Sequence, residues 1–200
     1  MNEMHLVLHG LAIKKHGDAE AVASIAGLEG ERVGALLEEA ARSGRVVQAQ
    51  GKYMLSPLAR MGLESDYSRH YGELRGDAGF VGAYEAFEGV NAQLKSLLTE
   101  WQTLEVGGQR VPNDHSDAEH DRRVIDRLGT LHERADAVLQ RLAAAVPRLD
   151  RYRAKLLHAL EQAEDGAVDW VSDARIDSYH TVWFELHEDL LRLLGRRRSE

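Results

Sequence analysis

Apolar residues recur at helical spacing along nearly all of this 200-residue chain, and only three prolines interrupt the pattern. Proline lacks an N–H and clashes with the preceding turn, so it marks where helices stop. Pro57 follows a short β-prone stretch, Pro112 ends a loop, and Pro147 separates two periodic segments. The spacing predicts helices at about residues 3–16, 19–26, 31–43, 57–74, 79–104, 117–146, 148–164 and 173–195. One exception stands out. Residues 45–49 and 52–55 are β-prone runs around Gln50-Gly51, the pattern of a hairpin. A mainly α fold with one small β-hairpin is expected.

Local signals sharpen the first third. Leu6, Leu8, Leu11, Ala12 and Ile13 form the apolar side of the first helix, and Gly17 closes it. Asp18 has the oxygen that caps a second, short helix. Gly27-Leu28-Glu29-Gly30 is the turn before a third helix, which ends at Gly44. Val33, Leu36, Leu37, Ala40 and Ala41 share one face of that helix, opposite Arg32, Ala35, Glu38, Glu39 and Arg42. Helix, short helix, turn, helix and hairpin is the order of a winged helix–turn–helix.

Residues 6–62 resemble the winged-helix module of the MarR type. The resemblance rests on residues 18–23 (DAEAVA), Gly27-Leu28, Val33 to Leu37, Gly44-Arg45-Val46-Val47, and Leu55-Ser56-Pro57-Leu58-Ala59-Arg60. The last stretch is similar to the family's Leu-Thr-Pro-x-Gly-Arg, with Ser56 in place of Thr and Ala59 in place of Gly. The resemblance implies that the third helix enters the major groove of double-stranded DNA while the hairpin, as a wing, touches the backbone. Arg32 and Ala35 would then face base edges, and Arg42, Arg45, Gln48 and Lys52 would lie near phosphates. Cations on a docking face suit phosphate, and donors such as Arg or Gln suit base edges.

Charge argues the other way. Residues 1–62 hold seven bases and seven acids, so the formal charge of −8 falls entirely on the remainder. A neutral module is not the basic footprint of a typical DNA binder. Other classes are easier to exclude. The chain has no cysteine, which removes disulfides, thiolate metal sites and cysteine nucleophiles. No apolar run approaches the roughly 20 residues of a membrane span. Residues 1–5 (MNEMH) have neither the basic start nor the apolar stretch of a signal peptide, so a cytoplasmic location is expected.

Beyond a connecting segment at 63–78, residues 79–200 are expected to form a helical bundle that dimerises and binds ligand. Its apolar stripes are broken by polar side chains. Asn91 lies among Tyr84, Phe87, Leu94, Leu98 and Trp101, and His132 among Ile125, Leu128, Ala135, Leu139 and Leu142. His180 and His187 share a face of the last helix with Trp183, about 10 Å apart along the axis. Asn113, Asp114 and His115 precede the long helix, where Ser116 and Glu119 have capping-box spacing. A buried imidazole or amide requires a partner, since leaving one unpaired costs about 1–3 kcal/mol. Asn91, Asn113, Asp114, His115, His132, His180, Trp183 and His187 are therefore the candidate ligand pocket.

His132, His180 and His187 are also metal-ligand types, but no His-x-x-x-His or His-Glu-x-x-His spacing is present, and neither metal nor cofactor is expected. Glu185 and Glu188 read as a solvated face, and Arg196-Arg197-Arg198 as a basic end that complements the helix dipole. The reading that absorbs most of these features is a homodimeric DNA-binding transcriptional regulator answering to a small-molecule effector. Two alternatives use the same residues: a non-catalytic protein-interaction module, or a histidine-rich helical enzyme or metal protein with the winged helix as scaffold.

Overall fold

A computed structural model describes residues 2–198. The chain is mainly helical, with two short antiparallel hairpins, and divides into two compact units. One contains the described residues up to Asp77 together with those from His187 onward; the other is Ala78–Leu186.

The first unit opens with α1 (Glu3–Lys14), α2 (Ala19–Ala26) and α3 (Gly30–Arg42). Each start has a local reason. Asn2 Oδ1 accepts from the N–H of Met4 at 3.0 Å, and Asp18 Oδ1 accepts from that of Ala21 at 2.9 Å. Gly27 ends α2 at a φ of 76°, a left-handed conformation that glycine adopts without strain. Strands β1 (Val46–Ala49) and β2 (Lys52–Leu55) pair through Gln50-Gly51, both at positive φ. Tyr53 and Gly17 exchange backbone hydrogen bonds of 2.8 and 3.2 Å, which fixes the hairpin to the end of α1. Only Val46, Tyr53 and Leu55 of the hairpin are buried.

Ser56 then caps α4 (Pro57–Gly76), with Pro57 in the first turn where its missing N–H is harmless. This helix runs unbroken through residue 62, where the sequence places a domain boundary, and buries Leu63, Tyr67 and Tyr71 along one stripe. The core is built on Val7, Leu11, Val22, Ile25, Val33 and Leu37, all nearly or fully inaccessible. The buried side of α1 differs from the expected stripe. Leu6 and Leu8 are half-buried, while His5 and His9 lie inside.

The second unit contains α5 (Ala78–Gln102), β3 (Thr103–Val106), β4 (Gln109–Pro112), α6 (Ala118–Ala145), a 3₁₀ turn at Pro147–Leu149, α7 (Asp150–Glu164) and the single turn α8 (Asp169–Ser172). Helix α9 (Tyr179–Leu194) begins in this unit and ends in the first. α5 and α6 run antiparallel: Glu100 pairs with Arg127, and Gly82 lies beside Arg141. Phe87, Leu94, Leu128, Leu139, Leu142, Leu156 and Val182 fill the interior.

Three boundaries depart from expectation. The β3–β4 hairpin turns at Gly107-Gly108, both at positive φ, inside a stretch read as helix end and loop. Asp117, not Ser116, caps α6, taking the N–H groups of Glu119 and His120 at 3.1 and 3.0 Å. The last helix starts at Tyr179 rather than near 173, because Ser178 Oγ accepts from the N–H of Thr181 at 3.3 Å.

Gly10 records how closely α1 approaches α2. A Cβ there would stand 3.0 Å from the carbonyl oxygen of Val22 and 3.2 Å from its Cγ1. Gly10→Val is expected to destabilise the protein by roughly 1–3 kcal/mol through overpacking. A shift in the urea midpoint with an unchanged slope would show it.

Candidate functional site

The face of α3 opposite the core is open. Val33, Leu36, Leu37 and Ala40 are buried, and Arg32, Ala35, Glu38, Glu39 and Arg42 are exposed. Arg45, Gln48 and Lys52, which continue toward and along the hairpin, are exposed as well. Two of the expected contact residues already have partners. Arg32 donates through Nε and Nη2 to Glu3 Oε2 at 2.9 and 2.6 Å, and Gln48 Nε2 donates to the Tyr53 hydroxyl at 3.2 Å. The Arg32–Glu3 pair is solvent-exposed on both sides, where such pairs contribute about 0–1 kcal/mol and exchange easily. Arg42, Arg45 and Lys52 make no ion pair among the described residues.

The candidate pocket residues are distributed differently from the sequence pattern. Asn91 and Trp183 meet: the indole Nε1 donates to Asn91 Oδ1 at 3.0 Å, and Asn91 Nδ2 donates to Glu88 Oε2 at 3.1 Å. Trp183 stacks on Phe87 at 4.7 Å and on Tyr179 at 6.2 Å. Tyr179 in turn reaches His132, whose Nδ1 lies 3.2 Å from the phenol oxygen. Asn91, Trp183 and His132 thus belong to one buried array. Trp183–Asn91 and Tyr179–His132 join facing helices, while Glu88 meets Asn91 from within α5, so these buried polar groups have hydrogen-bond partners.

A second cluster gathers at the start of α6. Asp121 is almost wholly buried. It accepts from Asn113 Nδ2 at 3.0 Å and faces His115 Nδ1 at 3.0 Å. The His115 ring lies 4.5 Å from that of Trp101, and Asn113 Nδ2 also donates to the Trp101 carbonyl at 2.9 Å. Asp114 stands apart, taking the N–H and hydroxyl of Ser116 at 3.1 and 2.7 Å, which holds its carboxyl below the usual range. His115 and Asp121 border a cleft of about 570 Å³.

The two histidines of α9 fall one in each unit: His180 is half-buried, His187 buried. Among the described residues, no three His, Asp or Glu side chains come together to hold a metal ion. Glu185, read as part of a solvated face, is buried, and Glu188 is half-buried.

Sequence reasoning missed a fully buried polar group. In the first unit His9 and Asp189 are both inaccessible, and His9 Nε2 lies 3.0 Å from Asp189 Oδ1. The other ring nitrogen, Nδ1, is 2.7 Å from the Tyr67 hydroxyl. Burial pushes the Tyr67 phenol well above its ordinary range despite a hydrogen bond from Arg192. The ring of His5 packs against His70, Tyr67 and Tyr71 beside this group. Two signals were available: the i, i+4 histidines His5 and His9 inside an apolar helix, and Asp189 next to Leu190-Leu191.

No protein-family model matches the chain, and neither a curated protein nor a solved structure is significantly similar to it.

Asp189→Ala is expected to lower stability by roughly 3–5 kcal/mol, the loss seen when one partner of a buried pair is removed. Chemical denaturation measures it. A second outcome concerns pH. Burial pushes the His132 imidazole below 6.5, against the opposing pull of Asp136, Glu164 and Glu133. The unfolded chain therefore takes up this proton first, and stability falls as the pH drops through about 6.5, levelling off below the folded value. His132→Phe should lose less melting temperature than the natural chain between about pH 7.5 and 5.

Proposed function

We propose that the protein is a DNA-binding transcriptional regulator. Its first unit acts as a winged helix–turn–helix, with α3 as the reading helix and β1–β2 as the wing. The observation that carries this is an outward α3 face followed by three exposed cations, Arg42, Arg45 and Lys52, from the helix end to the hairpin, which make no ion pair among the described residues. Phosphate binding needs cations that are not already neutralised by the protein. Arg32 joins them when DNA phosphate or a base edge replaces Glu3 at its guanidinium.

Glu31, Glu38 and Glu39 on or beside the same helix oppose a polyanion, so affinity is expected to be modest and strongly dependent on salt. Acidic groups placed beside the contact also reject wrong geometries, which gives specificity at the expense of affinity. A homodimer suits this reading, since two copies read a pseudo-palindromic site with both α3 helices one DNA turn apart. A small-molecule effector is part of the proposal. The cleft beside His115 and Asp121 is a place for one in the second unit.

The test is fluorescence anisotropy with DNA from upstream of the protein's own gene, over a range of salt. Saturable binding at about 50 mM salt is expected, with log K falling linearly against log salt. The double variant Arg45→Ala, Lys52→Ala should flatten that slope by about 2 without changing the circular dichroism spectrum. No binding at low salt, or a slope untouched by the variant, would refute the proposal.

A further inference from the structure

In the first unit, α4 and the closing part of α9 border a cavity of about 620 Å³. Five arginines line it: Arg75, Arg192, Arg196, Arg197 and Arg198. Against them stand two carboxylates, Glu64 and Glu188. A chain with a formal charge of −8 thus lines one concavity mainly with guanidinium groups. Gathered cations repel one another, and a concave site surrounded by protein screens that repulsion poorly. The arrangement is relieved when an anion occupies the space.

Two of the arginines are held in place by the fold. Arg75 donates through Nε to the carbonyl oxygen of Leu193 at 2.9 Å and through Nη1 to Ser68 Oγ at 2.9 Å. Its guanidinium therefore covers the carbonyl end of α9, where a cation is favoured. Arg192 is bonded to Glu64 at 2.5 Å and to Glu188 at 2.9 Å. Its Nε–H is buried and meets no acceptor among the described residues. Arg197 makes no ion pair among them either. Glu64 is half-exposed, so it can swing away from Arg192 at little cost.

We propose that this cavity binds a small phosphorylated molecule. Guanidinium groups present paired N–H donors that match phosphate oxygens, and two of them are preorganised here. The volume falls within the range of small-ligand sites, about 300–1,000 Å³. A concave pocket of this size admits a terminal phosphate and its skeleton. The ring of Tyr67 and the side chain of Leu191 offer the skeleton an apolar wall. Tyr67 also holds His9 of α1, so the occupant's contacts adjoin the group that seats α1. Use of the site by an effector rests on the regulator reading; the site itself does not.

Isothermal titration calorimetry of the full chain with inorganic pyrophosphate, at constant ionic strength, tests the proposal without DNA. Saturable single-site binding is expected. Arg197→Ser, on the surface, should weaken it by about tenfold with an unchanged melting temperature. Adenosine 5′-monophosphate should compete with pyrophosphate and adenosine should not. Heat no greater than that of sodium chloride at equal ionic strength, or binding undiminished in the variant, overturns the proposal. Displacement of pyrophosphate by an equimolar short DNA duplex would assign the arginines to nucleic acid and overturn it as well. If upstream DNA fails to bind while pyrophosphate binds, the regulator reading falls and the phosphate site stands.

Discussion

A carboxylate withdrawn from water has to be met by donors, and Asp189 is wholly withdrawn. His9 supplies the donor, and Tyr67 positions His9 from its other side. Those three side chains come from α9, α1 and α4, so one polar group joins three segments of the first unit that hydrophobic contact alone would leave free to slide. Apolar packing is tolerant of small displacements, whereas a hydrogen bond at 2.7–3.0 Å is not. The geometry of α1, and with it the seating of α2, α3 and the hairpin attached through Gly17 and Tyr53, depends on this buried group.

Charge follows the same logic elsewhere in the chain. The protein is acidic as a whole, and many of its cations are paired with carboxylates. Arg42, Arg45 and Lys52 run from the end of α3 to the hairpin, and the arginines near α4 and the end of α9 gather in a cavity. Averaging charge over a segment hides such local reversals. Residues 1–62 sum to zero, yet Arg42, Arg45 and Lys52 within that stretch make no ion pair among the described residues.

Where the cause is local, the sequence was legible. The 3.6-residue period of Val33, Leu36, Leu37 and Ala40 predicted both the helix and its buried face, and Gln50-Gly51 predicted the first hairpin. Asp18 and Gly27 marked the ends of α2 because caps act within a few residues. The second hairpin was legible too, in the alternation around Gly107-Gly108, but lay hidden behind the stronger helical pattern before it. What could not be read was pairing across distance. Asn91 and Trp183 are 92 residues apart, and nothing in either neighbourhood names the other. The anomaly of polar groups on apolar stripes was visible; their resolution into one array around Tyr179 and another around Asp121 depends on which helices pack together. Leu11, Ala12 and Ile13 are buried as the apolar pattern of α1 indicates, but that pattern by itself gave no sign that His5 and His9 are buried too while Leu6 and Leu8 are only half-buried.

The two partners that close the first unit, His9 and Asp189, are separated by 180 positions. During synthesis the early segment leaves the ribosome long before its partner exists. At about 5–20 residues per second the intervening stretch takes on the order of ten seconds to make. Throughout that interval the His9 imidazole has Tyr67 but lacks its α9 carboxylate partner. The second unit waits as well, because Tyr179 and Trp183 of α9 belong to its interior. One helix thus completes both units, and neither can close its buried polar contacts before α9 is made.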